Sequence, residues 1–122
     1  MRWVAAIFVA LHGLVHLMGV VLLWKLAEPG GLRYADAVPV PGTAAGYVIG
    51  LGWLAAGAVL VVAAWLLAMR KPVWPVIALV GALLSSAVIL VNPGQAYAGL
   101  IANAAVLGLA AMGWLATRAR PT

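Results

Sequence analysis

Two histidines, His12 and His16, lie four residues apart in a long apolar stretch near the N-terminus. Residues at this spacing share one face of an α-helix, so both imidazoles are expected to point in the same direction. An imidazole can bind a metal, carry a proton or form hydrogen bonds. Because burying an ionisable side chain in a membrane is costly, a histidine there indicates a functional site or a polar contact with a neighbouring helix.

Three other polar residues are expected at a similar depth. At about 1.5 Å per helical residue, His12 lies roughly 13 Å and His16 roughly 20 Å from the start of its stretch. The same count along two later apolar stretches places Ser85 and Ser86 at roughly 18 to 20 Å, and Asn103 about 9 Å below the opposite surface. We predict that one buried polar layer contains His12, His16, Ser85, Ser86 and Asn103.

The residue types in this layer leave several roles open. Two imidazoles four residues apart make His12 and His16 candidates for half of a zinc or copper site. The only acids, Glu28 and Asp36, lie in the first loop, so only a second copy of the chain or a partner could complete such a site. One histidine could be an axial ligand of a haem or another pigment, although one helix face cannot supply ligands to both sides of the ring. Histidine with serine and asparagine resembles part of a nucleophilic site, but no carboxylate at that depth could orient the base.

Two further interpretations need no chemistry at the layer. Neutral imidazoles could hydrogen-bond to Ser85, Ser86 or Asn103 and hold helices in register, with each bond worth about 0.6 to 2 kcal/mol. The layer could also border a pocket for a lipid, a quinone or another small apolar molecule. The sequence identifies no particular cofactor.

The composition is that of a membrane protein. Of the 122 residues, 67% are hydrophobic and 7% are charged, whereas about a quarter of the residues in a soluble domain are charged. A soluble chain of this length has too little polar surface to cover so many apolar residues. The net charge of +5 comes from scattered residues, which argues against nucleic acid as a partner. Cysteine is absent, so the chain has no disulfide and no thiolate metal site of its own.

Four apolar stretches are long enough to cross a bilayer core, which takes about 20 helical residues. They cover approximately residues 3–24, 44–69, 73–92 and 97–117. The first exceeds the roughly 7–15 residues of a signal-peptide core, so we expect it to be an uncleaved span. The sequence therefore predicts an all-α fold in which residues 1–122 form a single transmembrane domain, an integral membrane four-helix bundle.

The connections between the spans set the predicted orientation. We interpret residues 25–43 as a solvated loop, Arg70-Lys71-Pro72 as a basic turn and residues 92–95 as an uncharged turn. The loop carries two basic residues, and the opposite side carries five: Arg2, Arg70, Lys71, Arg118 and Arg120. The positive-inside rule then predicts that both termini are cytoplasmic and that the loop is extracytoplasmic, in a multi-pass protein of the inner (plasma) membrane.

Small and polar residues recur along one face of each span, which predicts the faces that pack against other helices. The stripe of the second span contains Gly46, Gly50, Gly57 and Ala64, and that of the fourth contains Gly99, Asn103, Ala110 and Gly113. Trp53, in the second span, fits neither of the aromatic belts expected at the two interfaces.

At His12-Gly13-Leu14-Val15-His16-Leu17-Met18-Gly19 the chain resembles a group of small, largely uncharacterised bacterial four-span membrane proteins. Their first helix carries a similar His-Gly-Leu-x-His-Leu-x-Gly pattern, and they are sometimes labelled transporter permeases. The resemblance includes a tryptophan in the second helix, a serine near the middle of the third and an Ala-Asn step in the fourth, here Ala102-Asn103. It covers most of the chain except the first loop and implies a four-span layout without implying an activity.

These observations favour a binding or accessory role over an enzyme. We expect an intramembrane accessory subunit or a binder of a small apolar ligand, centred on the His/Ser/Asn layer. The alternatives are an enzyme or transporter that uses His16 as a proton carrier, and a subunit that binds a metal, haem or pigment. The expected partners are the lipid bilayer and either further copies of the chain or a larger membrane complex.

Overall fold

The computed structural model describes residues 1–91 and 93–120, and of residues 93–97 it describes the backbone. The chain forms four long helices and, in these residues, no β-strand. The helices are α1 (Arg2–Leu23), α2 (Ala44–Ala68), α3 (Trp74–Val91) and α4 (Pro93–Arg118). All four are long and apolar enough to cross a membrane. This confirms the predicted all-helical fold with four membrane-length helices.

The helices pack mainly in chain order. The α1 helix packs along α2, α2 along α3, and α3 along α4, whereas α1 and α4 touch at only a few places among the described residues. One seam of the bundle, between α1 and α4, is therefore much more open than the other three.

The α1 and α2 helices end in the same way. After α1, Lys25 takes a positive φ of 56°, and after α2, Arg70 takes a φ of 57°. In both cases the next residue donates a hydrogen bond to the carbonyl group five residues back, from Leu26 N to Val21 O and from Lys71 N to Leu66 O. This is the Schellman motif, which satisfies the last carbonyl groups of a helix and usually places glycine in the left-handed position.

The turn predicted at residues 92–95 is wrong for residues 93–95. The α4 helix already begins at Pro93, so residues 93–95 belong to the helix, and Asn92 lies outside the described residues. Proline suits the first position of a helix because the amide hydrogen that it lacks would have no partner there. The interpretation of the Pro-Gly pair in this segment as part of a turn is therefore wrong.

The loop between α1 and α2 has local structure of its own. It contains two short 3₁₀ helices, Pro29–Gly31 and Tyr34–Asp36. Glu28 Oε2 accepts a hydrogen bond of 2.9 Å from Tyr34 N, and Ala37 is buried against the outer part of the bundle. At the end of the loop, Thr43 caps α2 by accepting a hydrogen bond from Gly46 N. The loop thus covers one end of the bundle.

Two apolar clusters of the core lie on either side of a polar layer. One contains Val9, Leu60, Ala63, Ala64, Ala78, Ala82, Val106 and Ala110. The other, beneath the loop, contains Val20, Leu22, Leu23, Ala37, Trp53, Val88 and Ile89. Along α1, α3 and α4, the buried polar residues fall between these clusters: His16, Ser85 and Asn103.

Glycines allow α1 and α2 to approach closely where they cross. A Cβ atom added to Gly57 would lie 2.7 Å from the carbonyl oxygen of Gly13, and one added to Gly13 would lie 2.9 Å from that of Gly57. Such backbone contact is possible only between residues without side chains. This crossing lies one helical turn from His16 and so fixes where the polar layer faces.

Candidate functional site

His16 is at the centre of the polar layer. Its side chain is only 2% exposed, and both ring nitrogens have partners. The Nδ1 atom lies 2.8 Å from the carbonyl oxygen of His12 in the preceding turn. The Nε2 atom lies 2.6 Å from Ser85 Oγ on α3. His16 therefore links α1 to α3 through Nε2, while the contact of Nδ1 with the backbone fixes the orientation of the ring on α1.

His12 links α1 to α4, across the open seam. Its Nε2 atom lies 2.6 Å from Asn103 Oδ1, and its ring is half-buried and meets the His16 ring edge-on at a centroid distance of 5.0 Å. Since α1 and α4 pack so little against each other, this hydrogen bond is a principal direct connection between them in the part of the chain that the structure describes.

Asn103 completes the layer by joining α4 to α3. Its Nδ2 atom donates to Ser85 Oγ and to Ser86 Oγ, each at 3.0 Å. Ser86 Oγ in turn donates to the carbonyl oxygen of Ala82 at 2.8 Å. All five residues predicted from the sequence thus lie in one hydrogen-bonded network, which we call the polar layer. Three helices meet in it: α1, α3 and α4.

An apolar cavity of about 430 Å³ extends from the polar layer towards the loop. It lies between α1 and α4, where the bundle is open, and Gly30 and Leu32 of the loop border its far end. Its walls are mostly aliphatic, and His12 and His16 are the polar side chains at its inner end. The cavity therefore combines an apolar wall with a hydrogen-bonding end.

Trp53 is a member of this site that sequence reasoning missed. It is 8% exposed and its ring lies 5.3 Å from that of His16, centroid to centroid. The indole lies flat against Gly19, where an added Cβ would be 2.5 Å from its nearest ring atom. Its Nε1 atom is buried and has no hydrogen-bond partner among the described residues. The sequence feature that could have identified Trp53 is its position outside both of the expected aromatic belts.

The donor set limits the chemistry at this site. The described residues contain no group of three or more histidine, cysteine, aspartate or glutamate side chains that could hold a metal ion. Both histidine Nε2 atoms already face partners on other helices. A proton that left His16 through Nδ1 would meet the backbone carbonyl oxygen of His12, which is not a further proton carrier. The arrangement is thus suited to holding helices and lining a cavity.

Comparison with known proteins adds no relative to this description. No model of a known protein family, no curated protein and no solved structure matches the chain. The fold and the site therefore define only a class: an all-helical bundle of four membrane-length helices. Within it, three helices share a buried polar network beside an apolar cavity.

Proposed function

We propose that this chain is a four-span membrane protein that binds a small apolar molecule in the cavity between α1 and α4. The observation that carries the proposal is the cavity itself, with its volume of about 430 Å³ and its position against the polar layer. Sites for small molecules typically measure about 300 to 1,000 Å³ and combine apolar walls with a few placed polar groups.

The lining of the cavity supports an apolar occupant. Met18, Leu22, Leu23 and Ile89 supply flexible or branched aliphatic surface, and Trp53 supplies a flat aromatic wall. On the α4 side the lining residues are small, namely Ala98, Gly99 and Ala102. Small residues on one wall leave room for an occupant, and the aliphatic residues opposite provide contact area. An apolar molecule would reach the open seam directly from the surrounding lipid.

An accessory role in a larger assembly is a second candidate, and the exposure of α4 favours it. In the apolar segment of α4, 17% of the residues are buried, against 33% to 39% in the segments of the other three helices. A helix of another chain, or a second copy of this one, could cover the exposed face of α4. Both roles agree with the resemblance to small bacterial four-span proteins, and with a place in the plasma membrane.

The polar layer is less suited to the alternative roles. A proton carrier needs a group that can accept a proton on one side and release it on another, but His16 Nδ1 is held by a backbone carbonyl. A metal site needs several protein ligands, and the described residues contain no group of three or more histidine, cysteine, aspartate or glutamate side chains that could hold an ion. The two histidines lie on one helix face, so they cannot ligate both sides of a haem ring. We therefore assign the layer to positioning the cavity walls and to offering a hydrogen bond to the occupant.

A pair of matched substitutions on α4 tests the binding proposal. Ala102→Leu adds bulk to a residue that lines the cavity, whereas Ala104→Leu adds the same bulk on the exposed face of the helix. We expect native mass spectrometry of the detergent-solubilised protein to show a small molecule bound at fixed stoichiometry to the wild type and to Ala104→Leu. Ala102→Leu should lose it. Equal retention by the two variants, or no bound molecule in the wild type, would contradict the proposal. Co-purifying protein subunits in the same spectra would support the accessory role.

A further inference from the structure

The donor and the acceptor of each hydrogen bond in the polar layer can be assigned, starting from the bond between His16 and a backbone carbonyl oxygen. A carbonyl oxygen only accepts, so His16 Nδ1, at 2.8 Å from His12 O, must carry the hydrogen. The only two acids of the chain lie in the loop, so nothing at this depth compensates a charged imidazolium, and His16 is neutral. Its Nε2 atom is then an acceptor. The hydroxyl hydrogen of Ser85, at 2.6 Å, must point at it.

The orientation of the Asn103 amide follows from the two serine hydroxyl groups that it faces. The Ser85 hydroxyl donates its hydrogen to His16, so its oxygen can only accept a hydrogen bond from α4. The Ser86 hydroxyl likewise donates its hydrogen to Ala82 O. The Asn103 group that faces both serines must therefore be the amide nitrogen, which has two hydrogens to donate. Turning the amide over would put its oxygen against two hydroxyl oxygens with no hydrogen between them.

His12 is the last member of the hydrogen-bonded network. Asn103 Oδ1 faces His12 Nε2 at 2.6 Å, so Nε2 must carry the hydrogen. In a neutral imidazole the other nitrogen, Nδ1, is then an acceptor. The carbonyl oxygens of its own helix cannot satisfy it because they too only accept. His12 Nδ1 has no hydrogen-bond partner among the described residues, and its ring is half-buried at the inner end of the cavity.

We propose that the molecule bound in the cavity carries a hydrogen-bond donor, such as a phenolic or aliphatic hydroxyl group, which it donates to His12 Nδ1. This inference rests on the proposed binding function and narrows its ligand to hydroxyl-bearing apolar molecules. An apolar molecule whose only polar group is a carbonyl or an ether would place an acceptor against an acceptor. The polar layer thus selects for the chemistry of the occupant's polar end, while the aliphatic walls accept its apolar body.

Two nearly identical probes separate these ligand classes. The compounds para-hexylphenol and para-hexylanisole differ in whether the oxygen carries a hydrogen or a methyl group. We expect the phenol to bind the full chain in micelles roughly three- to thirty-fold more tightly, the range that one hydrogen bond in an apolar setting provides. Ala102→Leu should weaken the binding of both probes, and Ala104→Leu should leave both unchanged.

Nitrogen NMR of ¹⁵N-histidine protein reads the same hydrogen bond directly, because the chain contains only two histidines. We expect opposite tautomers, with the hydrogen on Nε2 of His12 and on Nδ1 of His16. The phenol should shift the His12 Nδ1 resonance and the anisole should not. A spectrum with the hydrogen on His12 Nδ1, or equal affinity for the two probes without that shift, would overturn the inference. Equal affinity would still leave the cavity a binding site, and the co-purification experiment tests that function separately.

Discussion

A histidine buried in an apolar bundle is stable when each ring nitrogen has a suitable partner, and His16 has one on its own helix and one on α3. Asn103 does the same for α4 by facing His12 with one end of its amide and both serines with the other. An unpaired buried polar group costs about 1 to 3 kcal/mol, which exceeds the net gain from a typical hydrogen bond. Other arrangements of the three helices would leave buried polar groups unpaired. The polar layer therefore favours one arrangement mainly by raising the free energy of the alternatives.

The two adjacent serines allow a matched test of this specificity. Ser85→Ala removes the partner of His16 Nε2 and of one Asn103 hydrogen at a site with no exposure. Ser86→Ala removes the partner of one Asn103 hydrogen at a half-buried site. We expect Ser85→Ala to lower the free energy of unfolding by about 1 to 3 kcal/mol and Ser86→Ala by less than about 1 kcal/mol. Reversible unfolding in mixed micelles measures both. Equal losses would mean that the hydrogen bond to His16 adds nothing to stability.

The polar layer could be anticipated from the sequence because helical rise is constant. Counting residues from the ends of the spans placed His16, Ser85 and Asn103 at comparable depths, and the structure brings them within hydrogen-bond distance of one another. Which atom would face which partner could not be anticipated. That depends on the rotation of each helix about its axis. The stripes of small residues show which face of a helix points inward, but they do not define the rotation closely enough to pair individual atoms.

At the scale of the elements, apolar length was sufficient to identify four helices, but not to place their ends or their contacts. The start of α4 at Pro93 depends on whether Pro-Gly begins a helix or interrupts one, and local sequence permits both. The position of Trp53 depends on the absence of a side chain at Gly19 on another helix. The cavity depends on how little α1 and α4 touch, which is a property of the assembled bundle.

The crossing of α1 and α2 gives a second matched prediction, at two glycines in helices. A Cβ added to Gly57 would lie 2.7 Å from Gly13 O and 3.0 Å from the Cβ of His16. An added Cβ at Gly108 meets no atom within 4 Å. Gly57→Ala must therefore push α1 away from α2, and we expect a loss of about 1 to 3 kcal/mol in the free energy of unfolding.

Gly108→Ala is the control for this crossing, because it makes the same chemical change in open space. Alanine has the higher helix propensity, so Gly108→Ala should be neutral or stabilising by up to about 1 kcal/mol. Unfolding in mixed micelles again measures the difference. If Gly57→Ala were as well tolerated as Gly108→Ala, close approach of the two backbones would not be what holds α1 against α2.

At the scale of the whole molecule, the open seam relates the fold to the proposed function. Three of the four seams between neighbouring helices are closed by extensive packing, and the fourth is bridged by a hydrogen bond between His12 and Asn103. The cavity lies on the loop side of this bridge. A molecule that fills it would add apolar contacts between α1 and α4 that the chain itself lacks, so binding should also stabilise the bundle.

The orientation of the molecule in its membrane gives the last prediction. If each of the four helices crosses the membrane, the chain returns to the side on which it started. Both termini then share one side with the turn at residues 70–72, and the loop at 25–43 lies on the other. Five basic residues lie on the first side and two on the second, and the side richer in lysine and arginine normally stays in the cytoplasm.

A reporter fused after residue 122 or inserted at Lys71 should therefore read as cytoplasmic. One inserted at Gly31, which is exposed and where an added Cβ would meet no atom within 4 Å, should read as extracytoplasmic. Adding lysines to the loop should weaken this preference if charge sets it, while adding the same number of glutamines should not. The opposite readings at all three positions would reverse the orientation, and would place the cavity, which lies on the loop side of the polar layer, nearer the cytoplasmic side.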